Sequence, residues 1–231
     1  HSGSRVGPVS RRAKMLSTHM AGTTFRVRPA RLSEVAAVAK LWHATYFDQV
    51  GADQLPEPLQ CERRELALYS PRVASMADAG TLLVAVNGSA ADELVGFANL
   101  KLRGDGAGEL EHFFVAASAR GTGCSAALLA AAETMLCATP DFWRSSNRHR
   151  TESSVGGPAV YLHCMQGNAP AIRFYERCGF QRAGPVVHHV AMSGGTWPLT
   201  LLRMEKAAAS PHIGPPVMEW SESIAGDEVV A

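Results

Sequence analysis

Arg120-Gly121-Thr122-Gly123-Cys124-Ser125 joins two glycines, an arginine and two hydroxyl side chains between an apolar run and an Ala- and Leu-rich stretch. Such a turn into a helix suits anion binding. The first amides of a helix have no internal partner and carry partial positive charge. Glycines let the backbone approach a phosphate closely, and Arg120 adds a charge-assisted donor. Two commoner phosphate motifs are excluded. A Walker A loop would end in Gly-Lys-Ser/Thr, and a dinucleotide fingerprint needs a third glycine where Ala126 stands. The same glycines would also serve a plain tight turn.

Upstream, Glu109 and Glu111 sit two apart in an alternating segment, so both project from one strand face and His112 from the other. Paired carboxylates on one face can accept protons, and they equally suit a solvated strand. Downstream, Asn168 to Phe180 reads as a helix with Asn168 as N-cap, Pro170 in the first turn and Gly179 at the stop. Ile172 and Tyr175 share a face of it, which makes Tyr175 a core aromatic unless its hydroxyl has work to do. Trp42, His43 and Tyr46 lie together on an earlier helix, and Arg144, Arg148, His149 and Arg150 form a basic cluster in a polar segment.

The elements that must position these groups follow from periodicity. Phe25 to Arg28 alternates as a short strand, Ser33 reads as the cap of a helix through Tyr46, and a second helix covers about 62–69. Leu82–Val86, Leu94–Leu102 and Glu109–Val115 form an antiparallel meander separated by glycine turns. A helix from Cys124 to about Ala138, a strand at Val160–Cys164, the Asn168 helix and strands near Val186–Met192 and Leu199–Met204 complete the order. That order, β-α-α-β-β-β-α-β-α-β-β, predicts an α/β (α+β) domain, a mixed sheet covered by helices.

Residues 24–206 are read as one domain, with 1–23 a disordered leader or tag remnant and 207–231 a mobile tail. Lys plus Arg number 22 and Asp plus Glu 21, so no one-sided basic surface points to nucleic acid. The five cysteines are odd in number and contain no CxxC pair, which argues against disulfides or structural zinc and for a reducing cytoplasm. No apolar run approaches the ~20 residues of a membrane span.

Taken together, Val115, Arg120, Gly123 and Ser125 before a helix, then a strand and Asn168, Tyr175, Gly179 and Phe180, resemble the GCN5-related N-acetyltransferase (GNAT) superfamily. The first group resembles its Q/R-x-x-G-x-G/A coenzyme A loop and the second its N…A…FY…GF helix. Ser125 stands where Gly or Ala is usual, and Ala117 where proline is frequent. The resemblance implies a mostly antiparallel sheet of about six to seven strands, opened between the third meander strand and the Val160–Cys164 strand. It also implies acetyl-CoA as co-substrate, with no metal. Phe114, Val115, Arg120, Gly121, Thr122, Gly123, Cys124, Ser125 and Asn168 would contact the coenzyme. Tyr175 would be the general acid, Glu109 or Glu111 the general base, and Trp42, His43 and Tyr46 the acceptor wall. The expected acceptor is a small-molecule amine, with no nucleic acid or membrane partner. Dimers are common in the family, so a homodimer is in keeping with it. A protein N-terminus or lysine as acceptor, a non-catalytic acyl-CoA sensor and a different phosphate-ligand module are the rival readings.

Overall fold

The computed structural model describes residues 16–20, 23–50, 55, 57–88, 92–103, 107–138, 159–192 and 195–207. Eight strands form a single sheet: β1 (Leu16–Met20), β2 (Thr23–Pro29), β3 (Leu82–Asn87), β4 (Leu94–Leu102), β5 (Gly108–Val115), β6 (Ala159–Met165), β7 (Gln181–Met192) and β8 (Gly195–Ala207). Their order is β1-β2-β3-β4-β5-β6-β8-β7. Every pairing is antiparallel except β5 with β6, which are parallel and joined through a helix, as a parallel pair requires. The mixed, mostly antiparallel sheet flanked by helices is as expected, with one strand more than the resemblance implied. That strand, β1, lies within the stretch 1–23 read as a leader. Leu16 to Met20 pair with Val27 to Thr23, where β2 offers them a free edge. The rest of the leader before Leu16 and the tail beyond Ala207 lie outside the described residues.

The helices are α1 (Val35–Val50), α2 (Glu57–Arg63), α3 (Tyr69–Asp78), α4 (Cys124–Cys137) and α5 (Ala169–Arg177). Ser33 does not cap α1. A 3-10 turn over Leu32–Glu34 precedes the helix, and the Glu34 carboxylate accepts the Arg31 amide at 2.8 Å. Arg28 then grips both Glu34 oxygens, at 2.8 and 2.6 Å. A charged clamp to the neighbouring strand thus starts this helix, and a local cap rule cannot see it. The last two strands also run further than their apolar centres suggest. β7 is an edge strand, and it passes Gly184 (φ +117°) and Pro185 at a shift in pairing register.

Two cores lie on opposite faces of the sheet. On one, α1 and α3 bury Val38, Trp42, Tyr69 and Val73 against Val84, Phe97 and Phe114. On the other, α4 and α5 bury Leu128, Leu129, Leu136, Ile172 and Tyr175 against Ala98, Leu110, Val115, Leu162 and Cys164. Phe114 and Val115, neighbours on β5, therefore serve different cores, while β6 gives Val160, Leu162 and Cys164 to the α4–α5 core.

Candidate active site

β5 and β6 pair over three rungs only, Gly108 with Val160, Glu109 with Tyr161 and Leu110 with Leu162. Beyond Leu110 and Leu162 they no longer pair, and a cleft of about 550 Å³ opens between them. Its lining includes Glu111 to Val115 from β5, Leu162 to Met165 from β6, Arg120, Gly121 and Ser125 from the glycine turn, and Asn168, Phe174 and Tyr175 around α5.

The glycine turn has the form an anion cradle needs. A 3-10 turn over Ala117–Ala119 carries the chain off β5, and Gly121 and Gly123 follow with φ of +77° and +93°. L side chains rarely adopt that region, so the turn requires glycine at both. Gly123 is the N-cap of α4; no side chain caps the helix and its first turn contains no acidic residue. The first amides of α4 therefore have no internal anion competing for them. The space beside Gly121 is open, with no atom within 4 Å of where a Cβ would stand. Thr122 braces the turn, donating its hydroxyl to the Ala119 carbonyl at 2.7 Å, and Cys124 is wholly buried in the core below. Arg120 donates Nε to the Val115 carbonyl at 3.0 Å, with Asp48 3.9 Å away.

Asn168 caps α5, its Oδ1 accepting the Ala171 amide at 3.2 Å, a contribution of about 1 kcal/mol to the helix. That cap fixes where Tyr175 enters the core. The Tyr175 ring packs among Phe113, Phe174 and Phe180, with centroids 5.2 to 6.1 Å away. Burial, with Cys164 and Cys178 nearby, pushes its phenol well above the ordinary value, so the proton stays on oxygen.

A bulge decides the opposite wall. Asn99 pairs with His112 and Leu100 with Leu110, leaving Glu111 as the extra residue of β5. Strict alternation puts His112 on the face away from Glu111; the bulge instead brings the two together. His112 stacks edge-on against Trp42 at 4.4 Å, and its Nδ1 stands 3.6 Å from Glu111 Oε2, within ion-pair reach but long for a hydrogen bond. Asn99, itself buried, donates to Glu111 at 2.7 Å and accepts from Thr81 at 2.8 Å. The adjacent His112 is the largest influence on Glu111. Burial opposes it, Lys101 and Asn99 assist, and the carboxyl drops from 4.5 to about 2.

Glu109 is placed differently. It is 4 % exposed and does not line the cleft; Arg103 forms an ion pair with it, and His163 Nδ1 stands 3.3 Å from its Oε1. Burial pushes its carboxyl up, but the His163 hydrogen bond and the Arg103 charge outweigh that and leave it below the ordinary value. Both carboxylates therefore favour the folded state above pH about 4.5, and that stability is lost as pH falls below it, for Glu111 towards about 2. The urea midpoint is expected to fall between about pH 5 and about pH 3, and to fall less in Glu111→Gln. Parallel curves for the two proteins would remove Glu111 from the acid response.

Of the acceptor-wall residues, Trp42 and Tyr46 line the cleft and His43 does not. His43 turns towards the segment after α2, where its Nε2 donates to the Arg64 carbonyl at 2.7 Å. Tyr46 stacks on Phe114 at 6.0 Å, and the Arg63 guanidinium stands 5.7 Å from the Tyr46 ring centroid. Arg144, Arg148, His149 and Arg150 lie outside the described residues. Sequence reasoning missed His163, although β6 alternation (Val160, Leu162 and Cys164 to one core, Tyr161 and His163 to the other face) was the signal that could have found it. No group of His, Cys, Asp and Glu able to hold a metal occurs among the described residues. No described helix is long and apolar enough to cross a membrane.

The fold is shared with solved acetyltransferases. PaiA N-acetyltransferase from Thermoplasma acidophilum, solved with coenzyme A, has 15% identity and a TM-score of 0.54, over 79% of this chain and 98% of that one. A GNAT superfamily phosphinothricin acetyltransferase from Sinorhizobium meliloti, solved with AcCoA, has 15% identity and a TM-score of 0.50, over 79% and 88%. Ard1 from Thermoplasma volcanium has 15% identity and a TM-score of 0.51, over 80% and 99%. No curated protein matches the chain in sequence. The family model for the acetyltransferase (GNAT) domain matches residues 78–182, the stretch that carries the meander, the glycine turn, the β5–β6 opening and α5. With that match seated in this fold, residues 78–182 are similar to the acetyltransferase (GNAT) domain.

Proposed function

We propose that the protein transfers an acetyl group from acetyl-CoA to the amine of a small molecule, by direct attack within a ternary complex. The observation that carries this reading is the β5–β6 opening, which runs from the uncapped amides of α4 past Tyr175 to the Glu111–His112 wall. Acetyl-CoA supplies a thioester whose acyl carbon is open to a nucleophile. The amides from Gly121 to Ser125, with Arg120 beside them, would hold its pyrophosphate. The unpaired edges of β5 and β6 beyond Leu110 and Leu162 would hold the pantetheine arm.

Tyr175 donates a proton towards the departing sulfur. With its phenol pushed up, it acts as a hydrogen-bond donor to the developing thiolate rather than losing its proton fully. Glu111 faces the acceptor side as a fixed negative charge suited to an ammonium ion. A direct route is favoured over an acyl-cysteine intermediate. Cys164 lines the cleft, but burial pushes its thiol up to about 11, so it is not a ready nucleophile. A cleft of this volume, walled by Trp42, Tyr46, Leu199 and Leu201, supports a compact acceptor.

Isothermal titration of acetyl-CoA, with NAD and ATP as controls, tests the coenzyme site. Selective binding near micromolar Kd is expected, followed by thiol release with members of a small-amine panel and little with peptide N-termini. A folded protein that does not bind acetyl-CoA would overturn the reading.

A further inference from the structure

We propose that His163, oriented by the buried Glu109, is the general base that takes the proton from the acceptor ammonium. The inference rests on the acetyltransferase reading and assigns one of its steps to a specific pair. The arrangement is a carboxylate behind an imidazole: Glu109 lies outside the cleft, and His163, with a side chain 11 % exposed, lines it. Arg103 pairs with Glu109 and is itself held in place, donating Nε to the Tyr161 hydroxyl at 2.9 Å.

An ionised carboxylate can only accept hydrogen bonds, so the proton between them belongs to His163 Nδ1. That leaves Nε2 of the neutral ring as an acceptor, and it makes no hydrogen bond among the described residues. The ring itself is fixed edge-on between Tyr161 at 5.4 Å and His188 at 4.3 Å.

Position supports the role. His163 is the first residue of β6 past the last paired rung, at the vertex of the opening. Its neighbour Cys164 points into the other core with Tyr175. A base on His163 and an acid on Tyr175 would therefore approach the thioester from opposite faces of the sheet. Glu111 faces the same cleft as His163, but a carboxyl at about 2 lies some eight pKa units below an ordinary alkylammonium. Imidazoles as a class are far closer. Glu111 suits holding the ammonium, and His163 suits deprotonating it.

Nε2 takes one ammonium proton and passes it to solvent, freeing the nitrogen lone pair to form the C–N bond. The C–S bond then breaks, the nitrogen sheds its second proton, and the leaving sulfur gains one through Tyr175. The charged and titratable groups facing His163 are Glu109 and Glu111 with His112 on β5, Arg103 beside β5, Tyr161 on its own strand, His188 on β7 and Arg203 opposite it on β8.

The test compares wild type, His163→Gln and Glu109→Gln for acetyl-CoA affinity, for thiol release against pH, and for imidazole tautomer by nitrogen NMR. In His163→Gln, kcat/KM is expected to fall on the order of 10²-fold. The acid limb of its pH profile should disappear, and acetyl-CoA affinity should hold within about twofold. Glu109 is a positioning residue, so Glu109→Gln should lower kcat/KM less than His163→Gln does, keep an acid limb and acetyl-CoA affinity, and weaken the preference for the Nδ1–H tautomer. Wild-type His163 should show the Nδ1–H tautomer when neutral. An Nε2–H tautomer, or a His163→Gln protein with undiminished rate and an intact acid limb, overturns the base assignment and leaves the transferase reading standing. Wild type that neither binds acetyl-CoA nor releases thiol overturns both.

Discussion

Gly123→Glu is expected to abolish acetyl-CoA binding while leaving the protein folded, with Kd weakened by at least about 10³-fold in a titration, equivalent to about 4 kcal/mol. Gly123 caps α4 at φ +93°, where a side chain costs on the order of 1–2 kcal/mol of strain. The larger effect is electrostatic. A carboxylate at a helix N-terminus stabilises the helix but occupies the amides that an incoming pyrophosphate needs, and repels its charge. Gly123→Ala separates the two effects, because it carries the strain without the charge and should keep affinity within about tenfold. A folded Gly123→Glu protein that binds acetyl-CoA as tightly as wild type would move the anion site away from α4.

Tyr175→Phe is expected to lower kcat by about 10²- to 10³-fold, with acetyl-CoA affinity and thermal midpoint nearly unchanged. The clean separation follows from packing. The ring is held by Phe113, Phe174 and Phe180, and a phenylalanine keeps every one of those contacts. The hydroxyl makes no hydrogen bond among the described residues, so removing it leaves no orphaned partner and should not cost stability. Because burial pushes the phenol upward, Tyr175 stays protonated across the working range, and an alkaline limb in the wild-type profile should persist in the variant. Wild-type turnover by Tyr175→Phe would remove the residue from the mechanism.

The glycine turn and α5 were legible because their signals are local. Positive φ at Gly121 and Gly123 and the cap at Asn168 depend on the residues themselves and their immediate neighbours. The meander was legible for the same reason, since alternation and turn residues lie within one short window. The start of α1 was not, because Glu34 answers to Arg28 on another element, and neither was the strand at Leu16–Met20, which exists by pairing with β2.

The division is sharpest at the two carboxylates. Sequence alone determined that a strand carrying Glu109, Glu111 and His112 leads into a glycine turn at the start of a helix, and that a tyrosine helix follows. Only the tertiary structure decided their surroundings. One extra residue in β5 against Asn99 brings His112 beside Glu111, and the parallel pairing with β6 sets Glu109 behind His163. Alternation along a strand is a property of that strand, whereas a bulge and an inter-strand register are properties of two strands meeting, and the residues that meet lie 12 positions apart at the bulge and 54 apart across β5 and β6.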